Sequence, residues 1–588
     1  MSNSVRCHRR LTIGFVIAGL SGGLGCAKVN SNTGGSAGGT AGSSPGLGGT
    51  AGHHNPSGSG GTGIQVDGSV VDAPPPITDF PPGPILGTPT TPTNSPTLFG
   101  GTPRNNSAPC VTSPQDGTLM PKNWLRPRFE WKANSDQNLT EIVLTVARFP
   151  TPLTIYTDGI NYSLDAALWD DLRRSVNDEP ITVSIRTLAL SATGTVQQPP
   201  SAASQVTFTI APVEAPGKIV YWSLAGDGSQ GTGMLKGFGV GEEGVRDVLT
   251  PDQVTNRNTT TDGCIGCHTS VPGGDSVQFV FGPPASMIGT DPYFNNIADI
   301  QMGTAGTLPA YVSPDALALI RTLRGIPAFS IGHWADGDRM VLLTDASNRG
   351  DLLWVQLDAA SPMPLQGTLA RTSDPGGATE PTFSHDGSKI VYVSTTPYSS
   401  IHDGRLDSGP ADLYWIPYNG RAGGAALPLA GASDSEFTEY YPAFSPDDQL
   451  VAFTRVPSPS TPQPSHPTTY NNSSAEIFIV PANGGTAVRS LANDPPACLF
   501  QHSPGLTNDW SKWSPEATTA DNGKTYNWLT FSSTRNGTPQ LYVTAIVTQP
   551  GMVPQTFPAL YLWNQPANES NHTPSWDNFK IPPVTIVP

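Results

Sequence analysis

The chain has 588 residues and a net charge of −16, with 31 Lys and Arg against 47 Asp and Glu. Charged residues make up only 13%, while Gly and Pro number 63 and 60, which argues against coiled coils and long surface helices and for short strands and turns. The acidity, with no basic patch interleaved with aromatics, argues against nucleic acid as a partner.

At the N-terminus, Arg6, Arg9 and Arg10 precede the apolar run Leu11–Leu20. A basic segment followed by a short apolar one reads as an export signal, and the run is shorter than the about 20 apolar residues that span a bilayer. Gly23-Leu-Gly-Cys26 follows. It is similar to a bacterial lipobox, with Gly23 standing where that pattern usually has Leu. The resemblance implies a lipoprotein-type signal over residues 1–26, lipid on Cys26, and a membrane anchor in the envelope of a Gram-negative-type bacterium, periplasmic or surface-facing. A plain signal peptide with an incidental Cys is the other reading. Residues 27–105 are rich in Gly and Ser, then in Pro and Thr. Such composition buries no core and reads as a disordered tether. Gly58-x-Gly-x-x-Gly63 lies within it, with no strand before and no helix after, so it is no dinucleotide motif.

From 106 to 213 the pattern changes. Arg128–Trp131, Glu141–Val146, Ile181–Ile185 and Gln205–Ile210 alternate apolar and polar residues, as half-buried strands do. Leu164, Leu168 and Leu172 recur at helical spacing and predict one short helix. The pattern resembles a fibronectin type III or immunoglobulin-like β-sandwich, which implies a spacer or adhesive arm without chemistry of its own.

The segment 214–588 carries a repeat. Glu380-Pro-Thr-Phe-Ser-His-Asp-Gly and Tyr441-Pro-Ala-Phe-Ser-Pro-Asp-Asp each open into an alternating strand. A second strand follows each, at Asp412–Ile416 and Glu476–Val480. His333–Leu343 and Trp513–Glu516 are weaker copies, and Thr573–Asp577 is an opening motif with no further blade after it. The spacing, roughly 50–70 residues, suits four-stranded blades. The repeat resembles the WD40-like repeat of TolB-type propellers. The resemblance implies an all-β fold, a sandwich followed by a six-bladed propeller, with Thr573–Asp577 supplying the innermost strand of the blade that begins at Lys218.

One motif carries chemistry: Cys264-Ile-Gly-Cys267-His268. Two thiols three residues apart with an adjacent His form the attachment signature of haem c, the thiols adding to the porphyrin vinyl groups and the His lying under the iron. It resembles c-type cytochromes over these five residues. A local Cys264–Cys267 disulfide, a zinc site using both Cys and His268, and a redox dithiol are the other readings. Aligning Gly274 with Gly387 puts Cys267 and His268 level with Glu380 and Pro381, on a strand that opens a blade and lines the central channel. Met287, Met302 and His333 are the candidate distal ligands.

Cys110 and Cys498 remain as a candidate disulfide between sandwich and propeller. Gly226-x-Gly-x-x-Gly231 reads as a hairpin loop, because a strand follows it. No hydrolase, kinase or metalloprotease motif stands in the mature chain, so the expectation is a non-enzyme. Two functions follow: a lipid-anchored, haem-bearing propeller that transfers electrons or senses redox state with an envelope partner, or a propeller that binds envelope protein or glycan, with Cys264 and Cys267 as a structural disulfide.

Overall fold

The computed structural model describes residues 75–581, except 105–107, 226–232, 255–263, 283–293, 301–307, 346–349, 359–364, 396–410, 459–468 and 470–471. Cys26, Met287, Met302 and the Gly226–Gly231 loop lie outside the described residues.

The architecture is almost wholly β. In the N-terminal module a seven-stranded sheet runs in the order Ile85–Leu86, Leu153–Thr157, Leu139–Val146, Pro180–Leu190, Ser204–Ile210, Thr118–Met120, with Val196–Gln198 on the flank of Pro180–Leu190. A second sheet joins Cys110–Ser113, Arg128–Lys132 and Asn161–Ser163. The inward residues of both, among them Phe129, Ile142, Ile181, Val183 and Phe208, share one core. The helix falls at Ala166–Ser175. Its N-cap, Asp165, accepts from the amides of Ala167 and Leu168, and Leu168, Trp169 and Leu172 turn inward.

The tether reading of 27–105 ran too far. Ile85–Leu86 adds a parallel strand to Leu153–Thr157, Arg104 bridges to Ser201, and Phe80 is buried edge-on against Phe149 with centroids 5.0 Å apart. Pro-rich chain cannot build its own core, but its aromatic and aliphatic residues can complete a neighbour's.

Among the described residues the rest forms six antiparallel sheets, with one short parallel pair of Ala370–Thr372 and Gly423–Ala425 beside them. Their inner strands are β1 (Cys264–Ser270), β2 (Arg324–Phe329), β3 (Gly377–Phe383), β4 (Phe437–Phe444), β5 (Asn508–Trp513) and β6 (Glu569–Asp577). β1 to β5 each open a sheet whose next strands follow in sequence, and β6 pairs instead with Lys218–Ala225, Lys218 opposite Asp577. Neighbouring inner strands pack in the order β1, β2, β3, β4, β5, β6, and β6 packs against β1. This arrangement fits a β-propeller-like fold.

The repeat is visible as register. Phe329, Phe383, Phe444, Trp513 and Trp576 stand opposite Val341, Ile390, Val451, Leu529 and Ile219, each at the same place on its inner strand. Ser270, opposite Val277, takes that place in β1. The turn after it needs a left-handed residue: Gly274 and Gly387 have φ 73°, and Asp448 has φ 55°. This is why the repeat reads Asp-Gly or Asp-Asp there.

The sheets of β5 and β6 share the core of the N-terminal module through Tyr526, Trp528, Leu541 and Trp576. Trp563 Nε1 donates to the Arg126 carbonyl at 3.0 Å. Cys110 and Cys498 are disulfide-bonded, with Cα atoms 5.5 Å apart.

Candidate functional site

Each inner strand breaks register midway: two residues stand where the partner offers one in five of them, and three in β2. In four strands the bulge residue is left-handed at the same position: Glu380 (φ 50°), Tyr441 (φ 53°), Trp510 (φ 57°) and Thr573 (φ 48°). Non-glycine residues avoid that region, so its fourfold recurrence is imposed by the tertiary structure. Cys267 sits level with them in β1. These five bulge residues line one central cavity of about 210 Å³.

His268, on the same wall, is buried. Its Nε2 lies 3.2 Å from the Val220 carbonyl, which can only accept, so Nε2 carries the proton. Nδ1 is buried and has no hydrogen-bond partner among the described residues. Burial pushes the imidazole down to about 4, with the Lys512 charge adding to the effect against the Val220 hydrogen bond. The ring is therefore neutral at physiological pH, with one lone pair unused.

The two cysteines part company. Cys267 carries a thiol and lines the cavity. Cys264 faces away from it, in a core with Trp222, and a Cβ added at Gly233 would lie 2.5 Å from its Sγ. Cys267 is a thiol, so the two motif sulfurs do not pair with each other, and the local disulfide of the second reading is not formed. The reason is the strand: a helix would set residues three apart on one side, whereas here the bulge after Ile265 turns Cys267 inward and leaves Cys264 outward.

His333 does not approach this cavity. It lies in the turn Ile331–Asp336, after β2 and not on it. Its Nε2 bonds the Gly387 carbonyl at 3.0 Å and its ring stacks on Tyr418 at 4.7 Å. Reading His333–Leu343 as an opening motif missed the true one, Ile326-Pro-Ala-Phe-Ser330, which matches Tyr441-Pro-Ala-Phe-Ser445 residue for residue after the first. The sequence reading also passed over Glu380, Trp510 and Lys512 as site residues. The residue before Pro in each Pro-x-Phe-Ser copy was the available signal.

For a covalent haem the donor chemistry fits at Cys267 and His268: a thiol, and a neutral imidazole with an orphaned nitrogen, on one cavity wall. Cys264 would have to leave its place against Gly233.

Glu380 Oε2 accepts the Tyr441 amide at 2.7 Å across the cavity wall. Lys512 also lines the cavity, and burial lowers its ammonium below the usual value, opposed by the charge of Glu380. Burial pushes the carboxyl of Asp509, one residue before the β5 bulge, well above the usual carboxylate range.

No family model matches the chain, and no curated protein matches it. Solved structures give weak likenesses. A puromycin-hydrolysing peptidase of Mycobacterium tuberculosis is 15% identical at TM-score 0.27, over 50% of this chain and 37% of the peptidase. Hydrazine synthase of Kuenenia stuttgartiensis is 15% identical at TM-score 0.27, over 53% of this chain and 75% of that one. A hypothetical selenium-binding protein of Sulfolobus tokodaii is 8% identical at TM-score 0.33, over 76% and 96%. The chain thus spans little more than a third of the peptidase, and at these scores none of the three carries an argument about its activity.

Proposed function

We propose that the chain is an exported, lipid-anchored six-bladed propeller, preceded by an immunoglobulin-like sandwich, that carries one haem c at the mouth of its central channel and passes or senses single electrons in the cell envelope. The observation that carries this reading is the Cys264–His268 signature on an inner strand, with Cys267 and His268 on the cavity wall. Cys264 and Cys267 would hold the porphyrin and His268 the iron. Bound there, haem supplies reversible one-electron chemistry. The chain's own part is to keep His268 neutral by burial, so that no proton must leave before it ligates, and to exclude bulk water from that wall. Acceptance of a haem requires Cys264 as a thiol.

The test is a pyridine haemochrome spectrum on protein co-expressed with haem-maturation machinery. A c-type spectrum at one haem per chain is the expected result, and its absence sinks the reading. Membrane fractionation tests the anchor. Cys26→Ala should move the protein into the soluble envelope fraction, and an unchanged distribution would refute lipidation.

A second reading has its own observation: Cys264 is buried, and His268 Nε2 is already bonded. Under it the propeller is a non-enzymatic receptor for an envelope protein or glycan, the channel mouth is its binding face, and no haem is found.

A further inference from the structure

The four left-handed bulge residues do more than line the cavity. A bulge takes its extra residue out of the ladder, leaving that residue's amide to find another acceptor. At Tyr441 that acceptor is visible: the amide donates to the Glu380 carboxylate of the neighbouring inner strand at 2.7 Å. Trp510 and Thr573 take the same left-handed conformation, at φ 57° and 48°, which turns their amides the same way. Between them on β5 stands Lys512, the one Lys or Arg among the residues lining the cavity, with no ion pair or hydrogen bond among the described residues.

We infer that the central cavity binds a small monocarboxylate, held by the Lys512 ammonium and by the main-chain amides of Trp510 and Thr573 in the way the Tyr441 amide holds Glu380. Size and charge set the class. The volume of about 210 Å³ admits a two- to four-carbon acid with room for bound water. One ammonium shares the cavity with the carboxylates of Glu380 and Asp577, so a second ligand charge would be repelled. The lining offers no Arg to match a phosphate bidentately. The site does not depend on the haem reading.

Calorimetric titration tests it on the full chain prepared without haem-maturation machinery, with sodium acetate and pyruvate as probes and phosphate and glucose alongside. Saturable binding of the carboxylates is expected, weakened about tenfold or more by Lys512→Met, the effect of losing one charged hydrogen-bond partner. Glu380→Gln should bind at least as tightly as the parent, because it removes a competing charge. Lys512→Gln keeps the aliphatic stem and serves if Lys512→Met misfolds. No saturable carboxylate binding, tighter binding of phosphate or glucose, or an unchanged affinity on removing the ammonium would overturn the inference. A haemochrome assay on the separately matured protein reports on the haem reading by itself.

Discussion

β1 and β3 occupy the same place in their sheets, yet they are built from different chemistry. In β3 the strand is fixed by packing: Phe383 is buried, Ile390, Val391, Tyr392 and Val393 opposite are wholly buried, and the following turn closes through Ser384 and Asp386. In β1 the place of Phe383 is taken by Ser270, which donates to Asp577, and the bulge position holds Cys267 instead of Glu380. Among the described residues the sheet behind β1 has three strands, that behind β3 four. A repeat that is over-determined by its other copies can give up apolar anchors at one of them and place reactive groups there.

The sharpest break in the comparison is chemical. Replacing Cys264 and Cys267 together by Ala should abolish covalent haem staining in denaturing gels, whereas Glu380→Ala at the equivalent place in β3 should leave it intact. Staining that survives the double replacement would remove the special status of β1. Next in size is packing. Phe383→Ala should cost about 3–5 kcal/mol in urea unfolding, and Ser270→Ala about 1 kcal/mol, since only a hydrogen bond is lost. Equal costs would show the two strands to be built alike. Reduction of the Cys110–Cys498 link, or Cys498→Ser, should lower stability by about 2–4 kcal/mol, with cooperative unfolding of the N-terminal module and the repeat sheets separating into two transitions.

The smallest effect is pH-dependent. Burial pushes Glu439 on β4 up to about 7, against the opposing charge of Arg455. A carboxyl raised on folding contributes stability that is present below the usual carboxylate range and is lost as pH rises through about 7. Glu439→Gln should therefore gain on the parent between about pH 4.5 and 7, by up to about 3 kcal/mol, read from denaturant midpoints across that range. A parallel pair of pH curves would show that Glu439 is ionised at no cost.

What the sequence disclosed follows the same divide. Pro-x-Phe-Ser-x-Asp was legible at Pro381 and Pro442 because aromatic, turn residue and alternating strand agree locally. The pairing of Thr573–Asp577 with Lys218–Trp222 was legible because each lacked a partner. The opening strand Arg324–Phe329 was passed over although Pro327-Ala-Phe-Ser330 repeats the signature, since an apolar stretch nearby at Met340–Leu343 drew the alignment forward. The separation of Cys264 from Cys267 was not legible at all. Spacing by three says nothing of side until the chain is known to be a strand with a bulge. Folding of residues 75–104 onto the module was hidden for a similar reason, because composition describes what a segment does alone.

The pairing of β6 with Lys218–Ala225 also orders events in time. Ser223 and Glu569, joined across this sheet, are 346 residues apart in the chain. During synthesis at about 5–20 residues per second, the first sheet waits tens of seconds for its inner strand, with the edge of Lys218–Ala225 exposed throughout. Until then β1 and Lys218–Ala225 each lack the neighbour that β6 provides. Any group inserted beside Cys267 has the same interval in which to reach it, before β6 arrives and packs against β1.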